Sequence, residues 1–273
     1  MALDEGLGLP ERPGMTAADY EEFKKRIHDL TGIDLSSYKQ RQMQRRINSL
    51  MDSLKVHTYR DYFRMLQTEP ARYDEFLKRI TINVSEFFRN PERFAELETK
   101  YLPRLLQAKR PLKVWSAGCS TGCEPYTLAI ILSDLDPRRG HRVLASDVDR
   151  VVLEKAKAGL YQVTELKNVS PARLARYFTP VGEGYRVKDE VKALIDFRQQ
   201  NLLTDRFEQG FDLILCRNVV IYFTEEAKHQ LYTKFYQALA PGGILLVGGT
   251  EPILRYREYG FEAVGPTFYQ RPA

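Results

Sequence analysis

Three short runs of the 273-residue chain hold residue types whose chemistry could converge. The first is Trp115-Ser116-Ala117-Gly118-Cys119-Ser120-Thr121-Gly122, where an apolar strand runs into small residues and a helix follows at once. In a doubly wound sheet this first turn is where a nucleotide-like ligand meets the backbone, because glycine lets it come close. The spacing is not G-x-G-x-x-G, and the lysine of a phosphate-binding loop is missing. That turns the reading away from NAD and ATP, toward a nucleoside cofactor without a pyrophosphate. A tight strand-to-helix turn with no ligand needs the same residues, so the turn alone leaves both readings open. The second run is Ala145-Ser146-Asp147-Val148-Asp149. An acid at a strand end can accept hydrogen bonds from both ribose hydroxyls, which suits Asp147, while Asp149 is placed to cap the next helix. The third follows the apolar Phe211–Cys216 and brings Arg217, Asn218 and Tyr222 to the carboxyl end of a strand, where α/β sheets bind ligands. Tyr222 lies between Ile221 and Phe223, so a core aromatic is the competing reading there.

These runs need elements to hold them. From Leu112 onward short apolar strands (112–117, 141–146, 211–216, 242–248) alternate with helices expected at 125–135, 151–159 and 225–239. Continuous apolar strands separated by helices indicate a parallel sheet covered on both faces. FEAVGP and TFYQRP close the chain as an expected antiparallel hairpin. Between the second and third strands, about 161–200 reads as an insertion with a small β-subdomain, with a helix start at Ser170-Pro171 and a hairpin-like YRVKDEVKALIDF.

Upstream, 15–81 reads as a small all-α domain after a flexible tail at 1–14. Thr16 and Asp19 fit a capping box, Phe23, Ile27 and Leu30 one stripe, and Met43, Ile47, Leu50 and Leu54 the core face of a second helix. Third and fourth helices fit 59–66 and 73–80. Residues 82–111 then form a linker and a helix opened by Asn90 as N-cap with Pro91 at its first position. The fold class is therefore α/β, a Rossmann-like domain (82–273) with a small β insertion, preceded by a helical domain.

Composition sets the bounds. With 43% hydrophobic and 11% aromatic residues the chain can build a core. Forty-one Lys+Arg against 36 Asp+Glu gives only +5, too mild for a nucleic-acid coat protein though suited to an acidic partner. Three cysteines provide no disulfide framework, and four scattered histidines show no zinc spacing, so no metal is expected. There is no signal-like start and no apolar run near the roughly 18 residues that span a bilayer. A protein without membrane insertion, working in a reducing cytoplasm, is expected.

Five motifs in order carry a resemblance: NVSEFFR (83–89), WSAGCSTGCEPY (115–126), ASDVD (145–149), NLL (201–203) and CRNVVIYF (216–223). Together they resemble the CheR family, chemotaxis receptor glutamate O-methyltransferases that use S-adenosylmethionine and release S-adenosylhomocysteine. The match spans nearly the whole chain after the first dozen residues. It implies a Rossmann-like S-adenosylmethionine-dependent methyltransferase domain. Asn83, Ser85 and Arg89 then fall in a segment that closes over the cofactor, with Gly118 and Glu124 at the first turn and Asp147 as ribose ligand. Asn201 and Leu202 would flank the adenine, Arg217 and Asn218 would line the pocket, and Arg89 with Tyr222 would orient the incoming carboxylate. Ser85 stands where the family commonly has Thr, and Cys123 where it often has Glu.

The resemblance also names a partner for an unusual helix. From Ser36 to Met51 there is no acid, while Lys39, Arg41, Arg45 and Arg46 are present. With Met43 at the centre of the buried face, Arg41 and Arg45 lie about 160° and 200° away at 3.6 residues per turn. An ordinary solvated face is the plain alternative. Methyl-accepting receptor helices carry rows of glutamates, which a basic helix would dock by charge complementarity. A monomer acting on such receptors is expected, without nucleic acid. The short TPVGEGY connection looks more like family members that do not depend on a receptor tether. A nucleic-acid methyltransferase and a non-catalytic cofactor-binding module are the competing classes; the [DN]-P-P-[YF] signature of the first is absent.

Overall fold

The computed structural model describes residues 14–81, 85–108 and 110–273, which form two compact units divided after Ile82. The first unit holds four helices: α1 (Ala17–Thr31), α2 (Gln40–Ser53), α3 (Tyr59–Thr68) and α4 (Pro70–Thr81). The capping box forms as expected, with Thr16 and Asp19 bonding each other's backbone N–H, and α1 stops where Gly32 turns left-handed. Tyr20, Phe23, Ile27, Met43, Ile47, Leu50, Tyr59, Tyr62 and Phe76 fill its interior. Leu54 lies one residue past the end of α2 and is only half-buried; Met51 takes its place in the core.

The second unit begins with α5 (Pro91–Glu96), which continues through a π-helical turn (Leu97–Tyr101) into α6 (Leu102–Leu106). Asn90 corrects one expectation. It is left-handed (φ 61°) and makes no capping hydrogen bond; its side-chain oxygen is used elsewhere, as described below. Then follow β1 (Lys113–Ala117), α7 (Cys123–Leu135), β2 (Arg142–Asp147), α8 (Arg150–Ala158), β3 (Leu160–Gln162), α9 (Pro171–Tyr177), β4 (Phe178–Val181), β5 (Gly184–Val187), α10 (Asp189–Lys192), β6 (Ile195–Gln199), β7 (Phe211–Cys216), α11 (Glu225–Ala238), β8 (Leu239–Val247), β9 (Glu262–Gly265) and β10 (Phe268–Gln270).

The main sheet has the order β6-β2-β1-β7-β8-β10-β9, parallel as far as β8 and closed by the antiparallel terminal hairpin. Val114, Leu213, Leu215, Ile244 and Leu246 are fully buried between the helical layers, which is why these strands read as continuous apolar runs. Chain order runs outward from β1 to β2 and β6, then returns to β7 on the other side. The crevice between the carboxyl ends of β1 and β7 is therefore the topological switch point.

The insertion also differs from expectation. YRVKDEVKALIDF is not a hairpin: β5 pairs antiparallel with β4 and β3 in a separate three-stranded sheet, α10 intervenes, and β6 pairs parallel with β2 at the edge of the main sheet. A half-exposed edge strand alternates like a hairpin arm, and its partner is some fifty residues upstream.

Candidate active site

The turn after β1 is fastened to β2. Gly118 and Cys119 N–H both donate to Ser146 O, at 2.8 and 2.9 Å. Gly118 has φ +77°, and a Cβ there would lie 2.5 Å from Val219 Cγ2, so glycine is required for this turn to lie against the segment after β7. Ser120 is left-handed (φ 48°) and aims its N–H at Asp147 Oδ2, 2.8 Å away. The other oxygen, Oδ1, accepts from Asp149 N–H at 3.0 Å. Val148 N–H is a third backbone donor to this carboxylate, which still has accepting capacity left. Burial pushes its pKa up to about 6 against these backbone donors. Asp149 caps α8 through the N–H groups of Val151 and Val152, as its position suggested.

Gln200 N–H donates to Asp147 O at 2.9 Å, which seats the loop after β6 beside that acid. Within it, Asn201 Oδ1 accepts from Leu203 N–H and Asn201 O from Asp205 N–H. Leu202 is buried, and its carbonyl accepts from Lys234 Nζ at 2.7 Å.

Arg217 is the polar centre on the β7 side. Its side chain is almost fully buried. Nη1 donates to Glu124 Oε2 at 3.2 Å, while Nη2 donates to both Arg89 O and Asn90 Oδ1 at 2.7 Å. The guanidinium lies over the Phe94 ring, 5.1 Å from its centroid. Ser116 Oγ holds the other oxygen of Glu124 at 2.8 Å. Arg217 thereby ties the first turn to the backbone of Arg89. Both Nη groups are engaged within the protein, and Nε has no partner among the described residues.

Asn218 is left-handed (φ 60°), and its N–H donates to Glu251 Oε2 at 2.6 Å. Glu251 also accepts from Ile221 and Gly248 N–H, at 3.2 and 3.0 Å, and burial raises its pKa. Sequence reasoning missed this residue. An acid just beyond a strand's carboxyl end in GGTEP was the available signal. Tyr222 ends a 3-10 turn (Val220–Tyr222) and is half-buried, whereas its neighbours Val220 and Phe223 are buried. The core role therefore falls to those neighbours.

Ser85 hydrogen-bonds the Cys123 thiol, whose burial pushes its pKa up to about 12. Asn83 lies outside the described residues. Arg89 is half-buried, with Phe88 and Asn90 on either side both left-handed. Glu124, Arg217 and the backbone of Arg89 are thus linked by direct contacts, while Asp147 is held by the Ser120 turn with the 200–202 loop beside it, Gly118 lies against Val219, and Asn218 is fastened to Glu251. In the helical unit Lys39, Arg41 and Arg45 are exposed and Arg46 half-buried, on and just before α2.

The residues fit the expected cofactor: the Gly118 turn has room only for a bare backbone, the buried Asp147 carboxylate is fastened to that turn through Ser120, and the buried Arg217 Nε has no partner among the described residues. Fold and site together define an S-adenosylmethionine-dependent methyltransferase. Residues 83–268 match the family model described as CheR methyltransferase, SAM binding domain, and 18–81 match CheR methyltransferase, all-alpha domain. The chain belongs to the CheR methyltransferases. It is 42% identical over 252 residues to the chemotaxis protein methyltransferase of Listeria monocytogenes, covering 92% of this chain and 96% of the relative. It is 34% identical over 273 residues to that of Escherichia coli, covering 96% and 94%. Among the described residues no helix is long and apolar enough to cross a membrane.

Proposed function

We propose that this chain methylates glutamate side chains of methyl-accepting chemotaxis receptors, forming methyl esters, and that it acts as a monomer in the cytoplasm. The observation that carries this reading is the Arg217 cluster: one guanidinium joins Glu124 of the first turn to the backbone of Arg89. The cofactor turn and the residue expected to steer the carboxylate are therefore built as one polar unit.

When bound, S-adenosylmethionine supplies a methyl group on a positively charged sulfur, which leaves as a neutral thioether. Asp147 accepts from the ribose hydroxyls with its remaining lone pairs, Gly118 lets the cofactor lie on bare backbone, and Asn201 and Leu202 border the adenine. Asn83, Ser85, Glu124, Arg217 and Asn218 complete the pocket. A glutamate carboxylate is ionised at pH 7, its reference pKa being about 4.3, so no general base is needed. The work left to Arg89 and Tyr222 is orientation: they hold the carboxylate in line with the methyl group, and alignment alone is worth several kcal/mol. The basic face of α2, with Lys39, Arg41, Arg45 and Arg46, docks the glutamate-bearing receptor helices.

Methyl transfer from labelled S-adenosylmethionine to receptor-containing membranes, with release of the label in mild alkali, tests the ester chemistry. Label retained in alkali would overturn it. Arg89→Ala is expected to lower turnover about 100-fold, the scale of a misplaced reactant, with S-adenosylhomocysteine affinity nearly unchanged. Full turnover in that variant removes Arg89 from the mechanism. Arg41→Glu with Arg45→Glu is expected to raise the KM for receptor and flatten its salt dependence. Wild-type methylation at low salt would exclude α2 as the docking face.

A further inference from the structure

The three residues before Arg89 are each gripped by the insertion between β2 and β6. Glu86 pairs with Lys167 Nζ at 2.6 Å. Phe87 donates its N–H to Glu165 O at 2.9 Å, and its ring meets Tyr161 and Phe178 edge-on, with centroids 4.8 and 5.2 Å apart. Phe88 carries the Arg173 guanidinium over its ring, 5.0 Å from the centroid. Phe88 is also the strained member of the segment, left-handed at φ 53° and buried. A β-carbon residue persists in that region only when its surroundings hold it there. Its N–H is fixed by Thr127 Oγ1 at 3.1 Å, and the next carbonyl, that of Arg89, by Arg217.

Arg173 is itself set in place from two other elements. Nε donates to Asp134 Oδ2 on α7 at 2.8 Å, Nη2 donates to Glu98 in the π-helical turn, and both acids are three-quarters buried. Two carboxylates fix the orientation of the guanidinium, whose central carbon stands over the Phe88 ring. A fork of this kind needs arginine, since a lysine ammonium is a point charge without a fixed plane.

We propose that Arg173 is a positioning residue for methyl transfer: from the insertion it holds the Phe88 ring, and so fixes the backbone that presents Arg89 to the carboxylate. The role rests on the reading of Arg89 given above. It assigns the insertion a part in catalysis, distinct from any contact the insertion makes with a partner.

The test is a cycle of Arg173→Ala, Arg89→Ala and the double variant, assayed for receptor methylation, with S-adenosylhomocysteine affinity and thermal midpoint measured in parallel. Arg173→Ala is expected to lower kcat about 10-fold, by displacing Arg89 by a fraction of an ångström, with KM for the cofactor little changed. In the Arg89→Ala background the same change should have almost no further effect, because it acts only through Arg89. Arg173→Lys should restore only part of the rate. Phe88→Leu, which keeps most of the packed volume, should reproduce the loss even where Arg173→Ala is poorly folded. If the two single losses multiply in the double variant, or if both Arg173→Ala and Phe88→Leu keep wild-type kcat, the proposal is wrong. Should Arg89→Ala alone keep full activity, the reading of Arg89 fails instead.

Discussion

The two ends of the main sheet carry charge in opposite ways. At the amino ends of its strands the acids pair with lysine and arginine side chains. Asp212 accepts both terminal nitrogens of Arg110, at 2.9 and 2.5 Å, and the Lys113 N–H at 2.9 Å. Lys113 Nζ meets Glu208 at 2.7 Å and Arg142 meets Asp196 at 2.8 Å. At the carboxyl ends the donors that hold the buried Asp147 and Glu251 are instead backbone N–H groups. Ser120 and Asn218 are left-handed there, and so are Phe88 and Asn90 around Arg89. One end is arranged to be satisfied without a ligand. The other holds strain and raised carboxylate pKa values, the features that gather where a ligand completes the site.

The largest expected effect at the carboxyl end comes from Asp147→Ala. Two hydrogen bonds from ribose hydroxyls to a carboxylate are lost, together roughly 3 kcal/mol, or about 100-fold in S-adenosylhomocysteine affinity. Calorimetric titration measures it directly. An affinity within a few-fold of wild type would mean that this acid serves only the Ser120 turn, and the contrast between the ends would lose its functional meaning.

Asp212→Ala probes the opposite end. It leaves the half-buried Lys113 N–H without its acceptor and frees Arg110, and is expected to cost about 2 kcal/mol of stability, the range for a lost charged hydrogen-bond partner. S-adenosylhomocysteine affinity should stay the same. A urea midpoint series with parallel binding data checks both. A large loss of affinity with no loss of stability would invert the assignment of the two ends.

How much of this was legible depended on the distance between partners. The strands β1, β2, β7 and β8, the Gly118 turn, Asp147 and the cap at Asp149 could be read because their signals are local: an apolar run, a small-residue turn, an acid at a strand end. Asn90 could not. Its sequence context asks for an N-cap, but Arg217, 127 residues away, claims the side-chain oxygen and the backbone turns left-handed. Glu251 was missed for the same reason, since two of its three donors, Asn218 and Ile221, lie 33 and 30 residues upstream. The role of β6 was misread because alternation reveals a half-exposed strand without revealing its neighbour. The basic face of α2 was read by helical phase alone, and the exposure of Arg41 and Arg45 agrees with that phase.

The smallest effect, and the one that separates the two ends most sharply, is in the pH dependence of stability. Burial raises Asp147 to about 6 from an ordinary 3.8. This group contributes stability that is complete below its unfolded pKa and is lost as pH rises through about 6. At the amino end the signs reverse. Asp196 is lowered by its Arg142 and Arg198 partners despite the opposing effect of burial, and Glu208 is lowered chiefly by Lys113. Their contribution is present above the unfolded carboxylate range and is lost as pH falls. His141 is lowered by burial, and its Nδ1 accepts the Leu112 N–H at 3.0 Å, so its contribution is present above about 6.5 and is lost on acidification. Between pH 7 and 5 the two ends therefore oppose each other. Asp147→Asn should steepen the loss of stability on acidification from about pH 6 to 4, because the compensating protonation is gone. His141→Asn, which keeps an acceptor for Leu112 without titrating, should flatten the loss between about pH 7 and 5. Urea midpoints at half-unit pH steps measure both slopes. Identical slopes in wild type and both variants would show that neither buried group senses the end of the sheet on which it sits.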